Sequence, residues 1–574
     1  MINIIKLFLF CVSNIGTWEL IRRNSKISVY FLPGLTIAIQ TVVLFVGGLL
    51  NLLPEFMWIL YIVGFAGFAY GIYKDKGISF LKNYMNIGFL FMAVSMGIML
   101  IYLRGKLFMH YDNFSHWAMV VKRMIAVDRY PNFTDTIIKF QEYPLGSSTY
   151  IYYFSKLIST SESIQMLAQV YMMLSSILPV FVFIKKNKIA ALAVVFSAVN
   201  FILVYNIEVT DLLVDTLLPL VAMSGVVFAY CYCKRGCRMR NLIFASFYMV
   251  QIVQIKNSGM FFVALICILI LSNIQKDKSI LARIGSVMMP FISFFMWQRH
   301  CKYVFADAEV SKHAMSVENY SSVFEEKTAE DINLIFNKVI DFAAGWTDVW
   351  LTFAIILIIG ILIFIFAKRE LKNYRNVLIA SLVVYVVYQA GILAMYLFSM
   401  PMAEARSLAG MSRYTKTILI AILYIALIMS VKLISCLDKS KIAAVSSAVI
   451  LGALYFLYMQ ISFGTIKTPM NYTDDTDERM WLETARIDYG VQNQKSYAIL
   501  IPEDDSGYFY YLGEYTFQTD NVDSFVIDSR EDMENISSEY IFVNDYSNQI
   551  INDWIKENYP EQYGNAVIKR EIDN

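Results

Sequence analysis

Asp112 closes a long apolar run and opens Tyr111-Asp112-Asn113-Phe114-Ser115-His116-Trp117, with Lys122 and Arg123 close behind. A carboxylate at the mouth of a bilayer costs free energy to keep dry, so an ionisable group placed there is a functional candidate by default. Three further sets of residues could act with it. Asp211 and Asp215, just after Glu208, stand four apart, a spacing that on a helix would put both carboxylates on one face. Lys256 lies in Gln254-Ile255-Lys256-Asn257-Ser258-Gly259, in the break between two short apolar runs. Glu404, Arg406, Arg413 and Tyr414 occupy the approach to a later one. Acids on one side and bases on another suit a centre that deprotonates a hydroxyl and holds a phosphate. Arginine is the better phosphate clamp, because its planar fork donates two hydrogen bonds. Plainer readings exist for most of these residues: Lys256 snorkelling to an interface, the aspartates capping a helix start, Arg413 a loop charge. Nothing structural, by contrast, requires an aspartate at the end of a span.

The elements that must position these residues are mostly membrane. Of 574 residues, 57% are hydrophobic and 17% charged, and mean hydropathy is +0.52, whereas soluble domains run near ~45–50% apolar and ~25% charged. A helix needs ~20 apolar residues to cross the ~30 Å hydrocarbon core. Thirteen stretches answer that description: 28–50, 56–73, 85–103, 163–184, 189–206, 214–233, 241–255, 259–274, 281–298, 348–367, 376–398, 415–435 and 442–462. Ile2 to Val12 reads as a retained interfacial helix. The expected fold class is an all-α polytopic membrane domain over 1–463, with about 13 transmembrane helices and external loops at 104–162, 299–347 and 399–414.

Basic residues set the orientation. Arg22/Arg23/Lys26, Lys74/Lys76/Lys82, Lys185/Lys186/Lys188, Lys234/Arg235/Arg238/Arg240, Lys276/Lys278/Arg283, Lys368/Arg369/Lys372/Arg375 and Lys432/Lys439/Lys441 alternate with loops at 51–55 and 207–213 that carry no basic residue. This makes the N-terminus cytoplasmic, provided that 144–158 does not cross but lies on the outer surface as an amphipathic helix with Tyr150, Tyr152, Tyr153 and Lys156. Asp112, all four histidines and five Asn-x-Ser/Thr sequons (Asn113, Asn132, Asn319, Asn471, Asn535) then fall outside. A bacterial plasma membrane is the expected setting. From Gly464 onward 23 acidic residues face 8 basic ones, about −15, against about +16 for the rest. This acidic part, 464–574, reads as a small extracytoplasmic α/β domain. Its strands are expected at Tyr497–Ile501, Ser524–Ile527 and Glu539–Val543, and a helix at Gln549–Asn558. Asp475-Thr476-Asp477 reads as a solvated acidic linker rather than a metal-binding motif.

No phosphate-cradling glycine loop and no dinucleotide turn occurs, so nothing points to ATP, a dinucleotide or nucleic acid. An outer-face reaction must then draw on an activated, lipid-linked substrate. Tyr111-Asp112, then Met124, Tyr130-Pro131 and Tyr143-Pro144-Leu145-Gly146, resembles the first external loop of the GT-C glycosyltransferases. It is most similar to the polyprenyl-phosphate-sugar-dependent branch, which holds the protein O-mannosyltransferases and the lipid A aminoarabinose transferases. Glu404 with Ser412-Arg413-Tyr414 resembles the arginine-bearing late loop of such enzymes, and Tyr143-Pro144-Leu145 departs from the family's double proline. The resemblance implies inverting transfer of a sugar from a polyprenyl-phosphate donor to an acceptor hydroxyl, with Asp112 as general base. Lys256, Arg413 and Arg406 would bind the donor phosphate. Asp211, Asp215, His116 and Glu404 would position the acceptor or hold a divalent metal (Mg²⁺ or Mn²⁺), the one cofactor implied. The acceptor could be a glycan, a teichoic acid, a lipid or a protein. Three rivals stand beside this reading. A polysaccharide polymerase or ligase would use loop 299–347 with Lys302, Lys312 and His313. A lipid-linked-saccharide transporter would show matched broken helices in its two halves. An assembly protein would recruit a partner through the acidic tail.

Overall fold

In the computed structural model, residues 2–205, 209–234, 238–272, 280–306, 317–438, 440–461 and 478–570 are described. Glu208, Lys312, His313 and Asp475-Thr476-Asp477 lie outside them. The chain runs α1 (Ile2–Asn24), α2 (Leu32–Leu49), α3 (Leu53–Asp75), α4 (Ile87–Tyr102), α5 (Ala118–Val127), α6 (Gly146–Leu157), α7 (Glu162–Ile177), α8 (Lys188–Tyr205), α9 (Leu217–Tyr232) and α10 (Met239–Ile255). It continues through α11 (Met260–Leu271), α12 (Ile280–Val304), α13 (Val317–Glu325), α14 (Ala329–Gly345), α15 (Thr347–Phe366), α16 (Leu371–Phe398), α17 (Met402–Ser407), α18 (Met411–Cys436) and α19 (Ser440–Ile461). Among the described residues, 8 helical stretches are long and apolar enough to cross a membrane, or 9 if the pair Ile78–Tyr84 and Ile87–Tyr102, bent by 85°, counts as one span. The architecture is that of a helical, multi-pass membrane protein. Each of the thirteen expected spans falls on a helix. Six of those helices (α4, α8, α9, α10, α11 and α19) offer a described apolar stretch too short to meet the crossing length alone.

Two expectations are corrected. The N-terminal segment is not a short interfacial helix ending near Val12. α1 runs to Asn24 and packs parallel to α3 through small residues: Ser13 Oγ donates to the Tyr61 carbonyl at 2.9 Å, and a Cβ on Gly16 would stand 1.9 Å from the Gly64 carbonyl oxygen. Close backbone approach of this kind is what small residues permit between apolar helices. At the far end Arg23 meets Asp75 at 2.5 Å, and Glu19 is buried against Arg22 at 2.7 Å and the Tyr84 hydroxyl at 3.0 Å. Ile2 therefore sits at the end of the bundle opposite Arg22 and Arg23, not beside them. Gly16→Ala should destabilise the protein by about 1–3 kcal/mol, read as a lower melting temperature in detergent; an unchanged value would refute this packing.

The second correction concerns α6. Every residue of α6 except Lys156 is buried, including Tyr150, Tyr152 and Tyr153, so the helix lies inside the fold and not on the outer surface. Its N-terminus abuts the C-terminus of α10: a Cβ on Gly146 would stand 2.6 Å from the Gln254 carbonyl oxygen. That contact brings Tyr143-Pro144-Leu145-Gly146 against the break at Lys256.

The ends of the bundle differ in charge. Lys186 pairs with Asp438 at 2.8 Å, Arg369 donates to the Cys436 carbonyl at 3.3 Å, and Arg283 donates to the Cys233 carbonyl at 3.1 Å, gathering basic segments at one end. The loops holding Asp112, Asp211, Lys256 and Arg413 gather at the other.

The C-terminal domain contains the expected sheet, with a fourth strand. The helices α20 (Glu478–Asp488), α21 (Tyr508–Phe517), α22 (Arg530–Asn535) and α23 (Gln549–Asn558) surround β1 (Tyr497–Ile501), β2 (Val522–Val526), β3 (Tyr540–Val543) and β4 (Val567–Lys569). The order is β2-β1-β3-β4, with β1 parallel to both neighbours and β4 antiparallel to β3. β1 is buried along its whole length because helices cover both faces, which explains its unbroken apolar sequence. Ala498 and Leu500 pack with Ile551 and Trp554 of α23. Tyr497 stacks on Phe517 of α21, ring centroids 3.8 Å apart.

Candidate functional site

Asp112 precedes a single turn of π-helix, Asn113–Trp117, a local widening that recurs at functional sites. The turn is anchored by Asn113, which is fully buried. Its Nδ2 donates to Asp211 Oδ1 at 2.7 Å, and its Oδ1 accepts from the Leu212 amide at 3.0 Å. Asn113 is thus a structural strut between the Asp112 and Asp211 loops, and burial removes it from the accessible sequons.

The loop before α9 is irregular, so Asp211 and Asp215 do not share a helical face as their spacing suggests; they face different partners. Asp215 is buried and pairs with Lys256 Nζ at 2.7 Å, and its carbonyl accepts from Thr417 Oγ1 at 3.3 Å. Lys256 lies at the α10 break in extended backbone, its ammonium 5.2 Å from the centre of the Tyr414 ring. Next to Tyr414 in sequence, Arg413 forms an ion pair with Asp112. The structure therefore joins Asp112, Asp211, Asp215, Lys256 and Arg413, drawn from four distant segments, at one end of the bundle. Tyr143 lies among them, within the field of Lys256, Tyr414, Asp112 and Arg413; burial pushes its phenol up to about 12, so it stays a neutral donor. Tyr388 of α16, not singled out from sequence, joins the group through Thr417 and the charge of Asp215. Its trace in the sequence is a run of polar groups, Tyr385, Tyr388 and Gln389, inside an apolar span.

Three expected site residues are placed differently. Arg406 does not reach Lys256 and Arg413. It pairs with Asp331 of α14 at 2.6 Å, while its carbonyl accepts from Lys338 at 2.7 Å, so it braces α17 against α14. His116 is buried, its ring 4.8 Å from Trp117 and 4.9 Å from Tyr143. Burial drives its pKa down to about 3, and the neutral ring acts as a packing element behind Tyr143, with neither nitrogen open to an acceptor or a metal. Glu404 stays at the rim, half-buried, acting on Tyr396 and Tyr414 through its charge.

Among the described residues no group of three or more His, Cys, Asp or Glu side chains is placed to hold a metal ion. Asp211 is engaged by Asn113 and Asp215 by Lys256, so the two do not converge on one point. Burial raises the Asp211 pKa and the nearby Asp112 charge adds to this, while His110 and Asn113 oppose it; the net direction is up. A carboxyl raised in the folded state contributes stability that is complete below its unfolded value and lost as pH rises through the folded value. Asp211→Asn should therefore be at least as stable as the parent at pH 7, with the difference shrinking towards pH 4. Thermal melts across that range decide it; a mutant destabilised more at pH 7 than at pH 4 would show the opposite sign. No protein-family model, curated protein or solved structure matches this chain.

Proposed function

We propose that this protein is a membrane glycosyltransferase of the GT-C type, moving a sugar from a polyprenyl-phosphate donor to an acceptor hydroxyl with inversion at the anomeric carbon. The observation that carries this reading is the meeting of Asp112–Arg413 with Asp215–Lys256 at one end of an apolar bundle. Two cations held by carboxylates at one end of an apolar bundle suit a phosphate leaving group that arrives on a lipid. The donor phosphate competes with the carboxylates for Arg413 and Lys256. Taking Arg413 frees the Asp112 carboxylate, which removes the acceptor proton as the new C–O bond forms. Negative charge growing on the departing phosphate is stabilised by Lys256 and Arg413, an effect strongest where water is excluded. Tyr143 and Tyr414, neutral and beside both cations, supply further donors to the phosphate oxygens. Asp215 keeps Lys256 aimed, and Asp211 holds the Asp112 turn through Asn113.

A test follows directly. The purified chain, supplied with a short-chain polyprenyl-phosphate sugar and membrane extract, should release polyprenyl phosphate and label a glycan, lipid or protein fraction. Donor that is moved across a vesicle but never cleaved would instead establish a transporter.

A further inference from the structure

The C-terminal domain grips the segment that carries Asp112. Arg479 of α20 is 3% exposed and forks onto Glu162, at the start of α7, with Nη1 and Nη2 donating to Oε2 and Oε1 at 2.9 and 2.7 Å. Nη1 also donates to the Phe108 carbonyl. The Phe108 amide donates to the same Glu162 Oε2 at 2.7 Å. Glu162 Oε1 also accepts the Tyr515 hydroxyl at 2.8 Å. The buried Tyr515 ring of α21 lies 5.3 Å from Phe114 and 4.1 Å from Lys122 Nζ, and its carbonyl accepts from that lysine at 2.7 Å. Tyr508 donates to the Met109 carbonyl at 3.4 Å, and Tyr511 packs edge-on against Tyr111 at 5.3 Å.

These contacts bracket one residue. Phe108, Met109 and Tyr111 before Asp112, and Phe114 after it, are each held by the tail domain. Other contacts of the tail domain, such as Glu514 with Lys139 at 3.2 Å, lie further along the loop, but those made by Arg479 and Tyr515 fall on the segment that carries Asp112. Bidentate arginine–carboxylate pairs supply direction as well as energy, and a reacting group has to be held within about 0.5 Å by neighbours that are themselves locked.

We infer that Arg479 and Tyr515 are positioning residues for Asp112, and that the C-terminal domain is part of the reaction centre rather than an appended module. The inference rests on Asp112 acting as general base. Tyr515 reaches Asp112 through Phe114 and Glu162; Arg479 reaches it through Phe108 and Glu162. Neither is placed to touch a substrate.

The test uses the full chain in detergent. In Arg479→Gln, hydrogen exchange across peptides spanning 106–117 should quicken at least 10-fold, while strands β1 and β3 keep their protection. Transfer kcat should fall about 100-fold, with KM for the polyprenyl-phosphate sugar within a factor of two. Arg479→Lys, which keeps the charge but loses the fork, should recover part of kcat. Tyr515→Phe removes one hydroxyl and leaves the packing, and should lower kcat several-fold by the same split. Unchanged exchange over 106–117 in Arg479→Gln overturns the inference whatever the activity. So does a loss that appears only in KM. Full transfer by Asp112→Asn would instead overturn the general-base reading, while the exchange result would stand as measured.

Discussion

Asp112→Asn is expected to lose transfer by about 10²–10⁴-fold, the range a positioned general base contributes, while expression, insertion and melting temperature stay near the parent's. Asparagine has almost the shape of aspartate and still offers an oxygen to Arg413, so the ion pair becomes a hydrogen bond and the π-helical turn keeps its anchor through Asn113. What is lost is the ability to take a proton from the acceptor hydroxyl as it attacks. The measurement is release of polyprenyl phosphate and labelling of acceptor by mutant and parent at equal protein. Donor binding should survive, and could tighten, because Arg413 is no longer held by a full negative charge. Full transfer by the asparagine variant would eliminate Asp112 as the base.

Lys256→Met should be the most destabilising single change in the site. Removing one partner of a fully buried ion pair costs about 3–5 kcal/mol, because the survivor is left charged without compensation. Here Asp215 keeps 4% of its side chain exposed and Lys256 24%, so water tempers the loss to about 2–3 kcal/mol. The double variant Lys256→Met/Asp215→Asn should regain most of that stability, since no unpaired charge remains. It should not regain transfer, because the phosphate has lost a cation. Melting in detergent and transfer assays on the two variants separate these effects. A single variant that melts with the parent and transfers normally would remove Lys256 from the site altogether.

Much of this could be read from the residues, and the failures have definite causes. β1, β3 and α23 lie where their patterns put them, because a run such as Tyr497–Ile501 buried on both faces has few other homes. Asp112, Lys256, Arg413, Asp211 and Asp215 were recognisable one by one from charge next to apolar runs. Which carboxylate meets which cation was not, since Asp112 and Arg413 are 301 residues apart and only the fold brings them together. The four-residue spacing of Asp211 and Asp215 suggested one helical face, yet α9 begins at Leu217 and the preceding loop sends each acid its own way. α6 looked amphipathic because tyrosines count as half-polar; covered by neighbouring helices, they are core. The apolar run of α1 ends at Val12, but the helix continues to Asn24 because Glu19, Arg22 and Arg23 neutralise one another once folded against Tyr84 and Asp75.

The separation of Asp112 from Arg413 has a consequence for synthesis. At about 5–20 residues per second, the ribosome needs about 15–60 s to travel from codon 112 to codon 413. For most of that interval the carboxylate has left the ribosome while its counter-ion does not yet exist. Glu162 waits longer still for Arg479, 317 residues downstream. Nascent chains stalled before codon 413 should thus be targets for membrane quality control, released from it only once Arg413 and Arg479 have been made.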